Sequence, residues 1–206
     1  MDDLLATAGI KPTGIATNNR KEGNSNAYRS ILSIPAVHLL TTLLFIYVGL
    51  AATLGGWNVT YLQQMRGADA SAGYVSAGFF GGLALGRIVL IWPTILLGPR
   101  LSMLLYCIIC IGLQCAVWFG PSLIGNAIAE SFVGFFLAPM YPMAMQLCGV
   151  LLPRELLAGA IGWIAGLGGT SGSALFPFVT GAISNVKGIS VLQLIAVAMI
   201  SSLFVI

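Results

Sequence analysis

The feature that most constrains this chain is how rarely it carries charge. Residues 101–129, 131–153 and 156–186 contain no Asp, Glu, Lys or Arg. A soluble domain covers its surface with roughly 25% charged residues, whereas this chain has 7%, with 58% hydrophobic. Apolar runs of about 20 residues, each long enough to cross hydrocarbon, recur with short breaks between them. The sequence therefore predicts an all-α membrane protein.

Six candidate spans follow: 37–62, 71–97, 101–119, 122–152 (interrupted by Pro139 and Pro142), 156–183 (Gly-rich, containing Pro177) and 189–206. The sixth is marginal in length. Residues 1–34 form a polar stretch without the basic start and apolar core of a secretory signal, and read as a disordered cytosolic tail. Residues 35–206 form the membrane unit. Its connections, such as "GPR", "GPS", "LPREL" and "NVKG", leave no room for a catalytic domain outside the bilayer. Six crossings put both termini on one side. If that side is cytosolic, Lys11, Arg20, Lys21, Arg29, Arg100 and Arg154 lie inside and only Arg66 and Lys187 outside, as positive-inside insertion requires.

Split into two threes, the spans show a weak internal symmetry: the middle helix of each set is the glycine-rich one. Corresponding Gly- or Pro-interrupted spans point to transporter architecture, here two inverted three-helix repeats. Gly78, Gly82 and Gly86 lie four apart and share one helical face. Gly162, Gly166, Gly168 and Gly172 do similar service in the fifth span. Such faces let a second backbone approach closely, because lipid supplies no hydrophobic drive for helix pairing. Static close packing and a sliding or rocking surface are both compatible with them.

Arg87 stands in the middle of this oily segment, roughly 24 Å along the second span from Ser71 by helical rise. A cation facing lipid at the bilayer centre costs about 3 kcal/mol or more. Arg87 therefore either snorkels to the cytosolic interface or pins a loop, or else faces an aqueous cavity and holds an anionic group. Glu130 is the only acid inside a span, roughly 12 Å along the fourth from Ser122. An ion pair with Arg87, a separate cavity or proton site, and a partly solvated acid without a role remain open for it. Further candidates for a solute or ion pathway are Trp57, Asn58, Gln114, Tyr141, Trp163, Thr170 and Ser171. His38 reads as an interface anchor. The "CIIC" pair, Cys107 and Cys110, lacks a second pair or a histidine, and reads as small buried side chains.

Taken in order, "GGWNVTYLQQMRGADASAGYVSAGFFGGLALGR", "NAIAESFVGFFLAPMYPMAM" and "AGAIGWIAGLGGTSGSALFPFVTGAI" resemble helices seven and eight, ten and eleven of the major facilitator superfamily, in its fungal fucose-permease-like branch. The resemblance covers nearly everything from Pro35 onward. It implies a proton-coupled or facilitative carrier of a small solute, such as a sugar, working by alternating access. It also implies that the chain corresponds to the C-terminal half of a twelve-helix fold. Two departures stand out. Ile95 and Leu96 occupy the places where the family has Asp and a basic residue before "LG-R". Leu50 and Ala51 stand where the seventh helix often carries Glu, so no proton-binding role transfers to that helix.

The leading expectation is therefore a transporter of a small-molecule solute in the lipid bilayer, acting with a second copy or a separate N-terminal half. The alternative is a non-transporting scaffold, or a truncated relic, that associates through glycine-rich faces. Enzyme activity is not expected, since no serine–histidine pairing, metal cluster or phosphate loop appears. No cofactor, metal or nucleic-acid partner is expected either.

Overall fold

A computed structural model describes residues 29–69, 72–120 and 122–205. All regular structure among them is helical. Helix α1 runs Pro35–Arg66, α2 Gly73–Val89, α3 Ile91–Leu97, α4 Pro99–Phe119, α5 Leu123–Leu137, α6 Met140–Leu151 and α7 Arg154–Trp163. A π-helical segment, Ile164–Thr170, leads into α8, Ser171–Lys187, and α9 is Val191–Val205. Among the described residues, three helices are long and apolar enough to cross a membrane: Pro35–Arg66, Pro99–Phe119 and the combined Leu123–Leu151. The bent pair α2–α3 makes a fourth if it counts as one span.

Local chemistry sets these boundaries. Pro35 opens α1 at its first turn, where its missing N–H costs nothing. Gly67 closes it in the left-handed region at φ 63°, with its N–H returned to the Leu62 carbonyl. The second predicted span is not one straight helix. It bends by 53° between α2 and α3, because Pro93 offers no N–H to the Val89 carbonyl and its ring displaces that group. Hydrogen bonds resume on both sides, Leu90 N–H to Gly86 O at 3.0 Å and Thr94 N–H to Leu90 O at 3.1 Å. By contrast, Pro139 and Pro142 interrupt the fourth span only briefly, and α5 and α6 run on as a single span of 29 residues.

The predicted tail needs a correction at its end. Residues 1–28 lie outside the described ones, but 29–32 are helical. Ile31 is buried in the main apolar core, so the folded unit begins before Pro35. The sixth run, α9, has 15 residues, about 22 Å of helix against a hydrocarbon core of about 30 Å.

Packing follows two seams. One joins α2 to α5, and the other joins α1 to α8 and the π segment. Helix α4 lies against α5 and α9, and α9 also packs on α1. Along the first seam, a side chain at Gly82 would strike the Ser131 carbonyl, one at Gly86 the Phe135 carbonyl, and one at Gly78 the Ser131 hydroxyl. Gly134 of α5 returns the favour against the Phe79 carbonyl of α2. Along the second seam, Gly168 sits 2.8 Å from the Thr41 carbonyl measured from an added Cβ, Gly172 abuts the Phe45 carbonyl, and Gly49 of α1 faces Phe176 and the Gly172 carbonyl. Gly162 and Gly166 depart from the expected packing face: a Cβ at either would meet nothing within 4 Å. Their side of the helix meets no other element among the described residues.

Candidate functional site

Four helices bring buried polar side chains to one node. Glu130 on α5 is 1% exposed, Asn58 on α1 1%, Gln114 on α4 0% and Gln193 on α9 0%. Gln114 Nε2 donates to Glu130 Oε1 at 3.3 Å and also to Gln193 Oε1. Asn58 lies beside the Glu130 carboxylate, yet neither of its amide atoms completes a hydrogen bond. The node thus joins Asn58, Gln114 and Glu130, three of the residues singled out in the sequence. Gln193 was missed there, although it is a lone amide inside the apolar run "VLQLIAVAMI".

Arg87 is not part of this node. Glu130 accepts from Gln114 and neighbours Asn58, and Arg87 is not among the groups beside it, so the direct ion pair does not form. Arg87 is exposed at the end of α2, and its guanidinium neighbours the hydroxyl of Tyr47 on α1. Tyr47 is 3% exposed, and its ring lies 6.4 Å from that of Tyr141 on α6. Arg87, Tyr47 and Tyr141 therefore form a second polar group. Cys110 stands between the two, close to both Tyr47 and Glu130, with its thiol turned to the Val133 carbonyl at 3.8 Å. Cys107 and Cys110 are both free thiols.

The other candidates are dispersed. Trp57 is half-buried, and its indole N–H donates to the Pro177 carbonyl at 3.1 Å, a structural tie between α1 and α8. Trp163 is half-buried at the end of α7, and Thr170 and Ser171 are exposed at the junction of the π segment and α8. The Ser171 hydroxyl donates to the Leu167 carbonyl one turn back, in the π segment. His38 at the start of α1 is exposed and bonds the Leu32 carbonyl at 2.7 Å. Arg66 sits at the C-terminus of α4, reaching the Val117 and Trp118 carbonyls at 3.4 Å each.

Chemically, the two groups differ. An exposed guanidinium beside a phenol is suited to an anionic or hydroxylated solute. A buried carboxylate beside neutral amides is suited to a small positive guest, because among the described residues it has no cationic side-chain partner.

No protein-family profile matches the chain, and no solved structure matches it. Among curated proteins it is similar to "Bypass of stop codon protein 6" of Saccharomyces cerevisiae, with 26% identity over 189 residues. That alignment takes in 86% of this chain but 38% of the yeast protein, so the chain spans well under half of that relative.

Proposed function

We propose that this chain is one half of a major-facilitator-type transporter, six spans in two inverted threes, which moves a small solute by alternating access together with a partner half. The observation that carries the reading is the reciprocity of the packing. Number the helices within each proposed repeat: α1, α2–α3 and α4, then α5–α6, α7–α8 and α9. The middle helix of the first repeat packs on the first helix of the second, and the middle helix of the second packs on the first helix of the first. Each seam is lined by glycines of the middle helix, with one answering glycine on the first helix, Gly134 or Gly49. The third helices meet each other, and each also meets the opposite first helix. Such exchange is what a pseudo-two-fold axis between inverted repeats produces.

Within this reading, Arg87 with Tyr47 and Tyr141 forms one wall of the solute path, and the open side at Gly162 and Gly166 meets the partner half. That same open side also favours a second reading, a scaffold that docks other membrane helices. Uptake of solutes into liposomes separates the two. The transporter reading expects flux from an assembly containing a partner half, abolished by Arg87→Ala with insertion unchanged. Unaltered uptake by that variant removes Arg87 from the path. Oligomerisation without uptake by any assembly, across sugars and small anions, favours the scaffold.

A further inference from the structure

The node formed by Asn58, Gln114, Glu130 and Gln193 is unfinished as it stands. Five of its polar atoms are buried without a partner: Asn58 Nδ2 and Oδ1, Gln114 Oε1, Glu130 Oε2 and Gln193 Nε2. Folded proteins carry few such atoms, and several in one place call for a polar partner such as a water or an ion. The chemistry of the node narrows what that guest is. Its oxygens are carboxylate and amide carbonyl, the donor set of a hard cation. Among the described residues, no three His, Cys, Asp or Glu side chains gather as a softer metal would require. The one nearby thiol, Cys110, is turned away to the Val133 carbonyl.

Charge narrows it further. Glu130 brings one negative charge and its partners are neutral amides. A divalent ion would leave a net positive charge buried among apolar helices, which is costly; a monovalent ion leaves none. A proton on Glu130 also neutralises the carboxylate, but it supplies a single donor to be shared by the open oxygens of Asn58 and Gln114. One small ion would engage those oxygens and the carboxylate together. Of the common alkali ions, Na+ is smaller than K+ and draws the same oxygens to shorter distances, so its attraction to the carboxylate is stronger.

We infer that the node binds Na+, with the Glu130 carboxylate and the side-chain oxygens of Asn58, Gln114 and Gln193 as ligands. The ion would tie α1 and α5 to α4 and α9, the elements that supply these four residues. Any use of this ion in transport rests on the transporter reading; its binding does not.

The test is thermal unfolding of the purified chain in lipid nanodiscs, followed by tryptophan fluorescence at constant ionic strength as NaCl replaces choline chloride. The expected result is a saturable rise in Tm with Na+, smaller with K+. It should be lost in Glu130→Gln and shifted to about tenfold or higher Na+ in Gln193→Ala. If Glu130→Gln fails to fold, the wild-type titration and Gln193→Ala decide alone. The inference is overturned if wild type gains no Na+-specific stability, if Gln193→Ala responds as wild type does, or if lowering the pH stabilises the protein and Na+ adds nothing. Uptake assays are read separately. Na+ stabilisation with no uptake by any assembly overturns the transporter reading alone, and uptake without Na+ stabilisation overturns the ion site alone.

Discussion

Replacing Gly82 with alanine places one methyl group where α2 meets α5. The new carbon would strike the Ser131 carbonyl oxygen, with the Phe135 nitrogen at 3.0 Å and the Ser131 carbonyl carbon at 3.1 Å. All three are backbone atoms of a helix, so no side chain can rotate aside, and the two helices must separate. A gap of about 0.5–1 Å forfeits a quarter to a half of the attraction at each contact along the seam. Overpacking of this kind costs about 1–3 kcal/mol. Gly86→Ala, one turn further, meets the Phe135 carbonyl and the Ala138 Cβ at 2.7 Å and should cost a similar amount. Gly81 provides the control: an added Cβ there meets nothing within 4 Å, so Gly81→Ala should gain up to about 1 kcal/mol of helix propensity. Equilibrium unfolding by SDS titration in mixed micelles measures all three. Equal losses for Gly81→Ala and Gly82→Ala, or an unaltered Gly82→Ala, would refute the close-contact account.

Three further perturbations use the same unfolding assay or amide exchange. Trp57→Phe leaves a smaller aromatic ring and removes the indole N–H that bonds the Pro177 carbonyl, and should lower stability by at least about 0.5–1.5 kcal/mol. Gly181→Ala should perturb the same contact from the other side, since its methyl would lie 2.8 Å from the Trp57 ring. Arg66→Ala removes a cation from the carbonyl end of α4, at a cost of about 0.3–1 kcal/mol. It should show as faster amide exchange over 117–120 with little change in the centre of that helix.

The apolar runs were legible because hydrocarbon demands length and hydrophobicity, and both are written in composition. The glycine spacing at 78, 82 and 86 likewise pointed to one face, since a four-residue interval needs no tertiary knowledge. The π segment at Ile164–Thr170 and the bend at Leu90 were less visible. Pro93 and the glycine run were in plain view, but whether a proline bends a helix depends on what its neighbours pack against. Pro93 breaks its span, while Pro139 and Pro142 pass within theirs. The polar node was half legible: Glu130, Gln114 and Asn58 stand out as polar residues in oily runs. Their convergence was not, because it is set by the order in which helices pack. That is also why Gln193 and Tyr47 escaped notice, and why Arg87 and Glu130, the two charges most easily imagined together, occupy different groups.

The two seams bear on how such a chain can move. Glycines that meet carbonyl oxygens of the facing helix, as Gly82, Gly86 and Gly172 do, fit in register only. A fractional slide would drive Cα into a peptide group, so packed interfaces of this kind hold or jump rather than glide. Under the proposed reading, α2 with α5 and α1 with α8 therefore travel as fixed pairs. The buried node reinforces this by joining α4 to both α5 and α9 through the Gln114 amide. Of the glycines expected to smooth a moving face, only Gly162 and Gly166 remain free to do so. Under that same reading, motion belongs at the boundary they border and not within either seam.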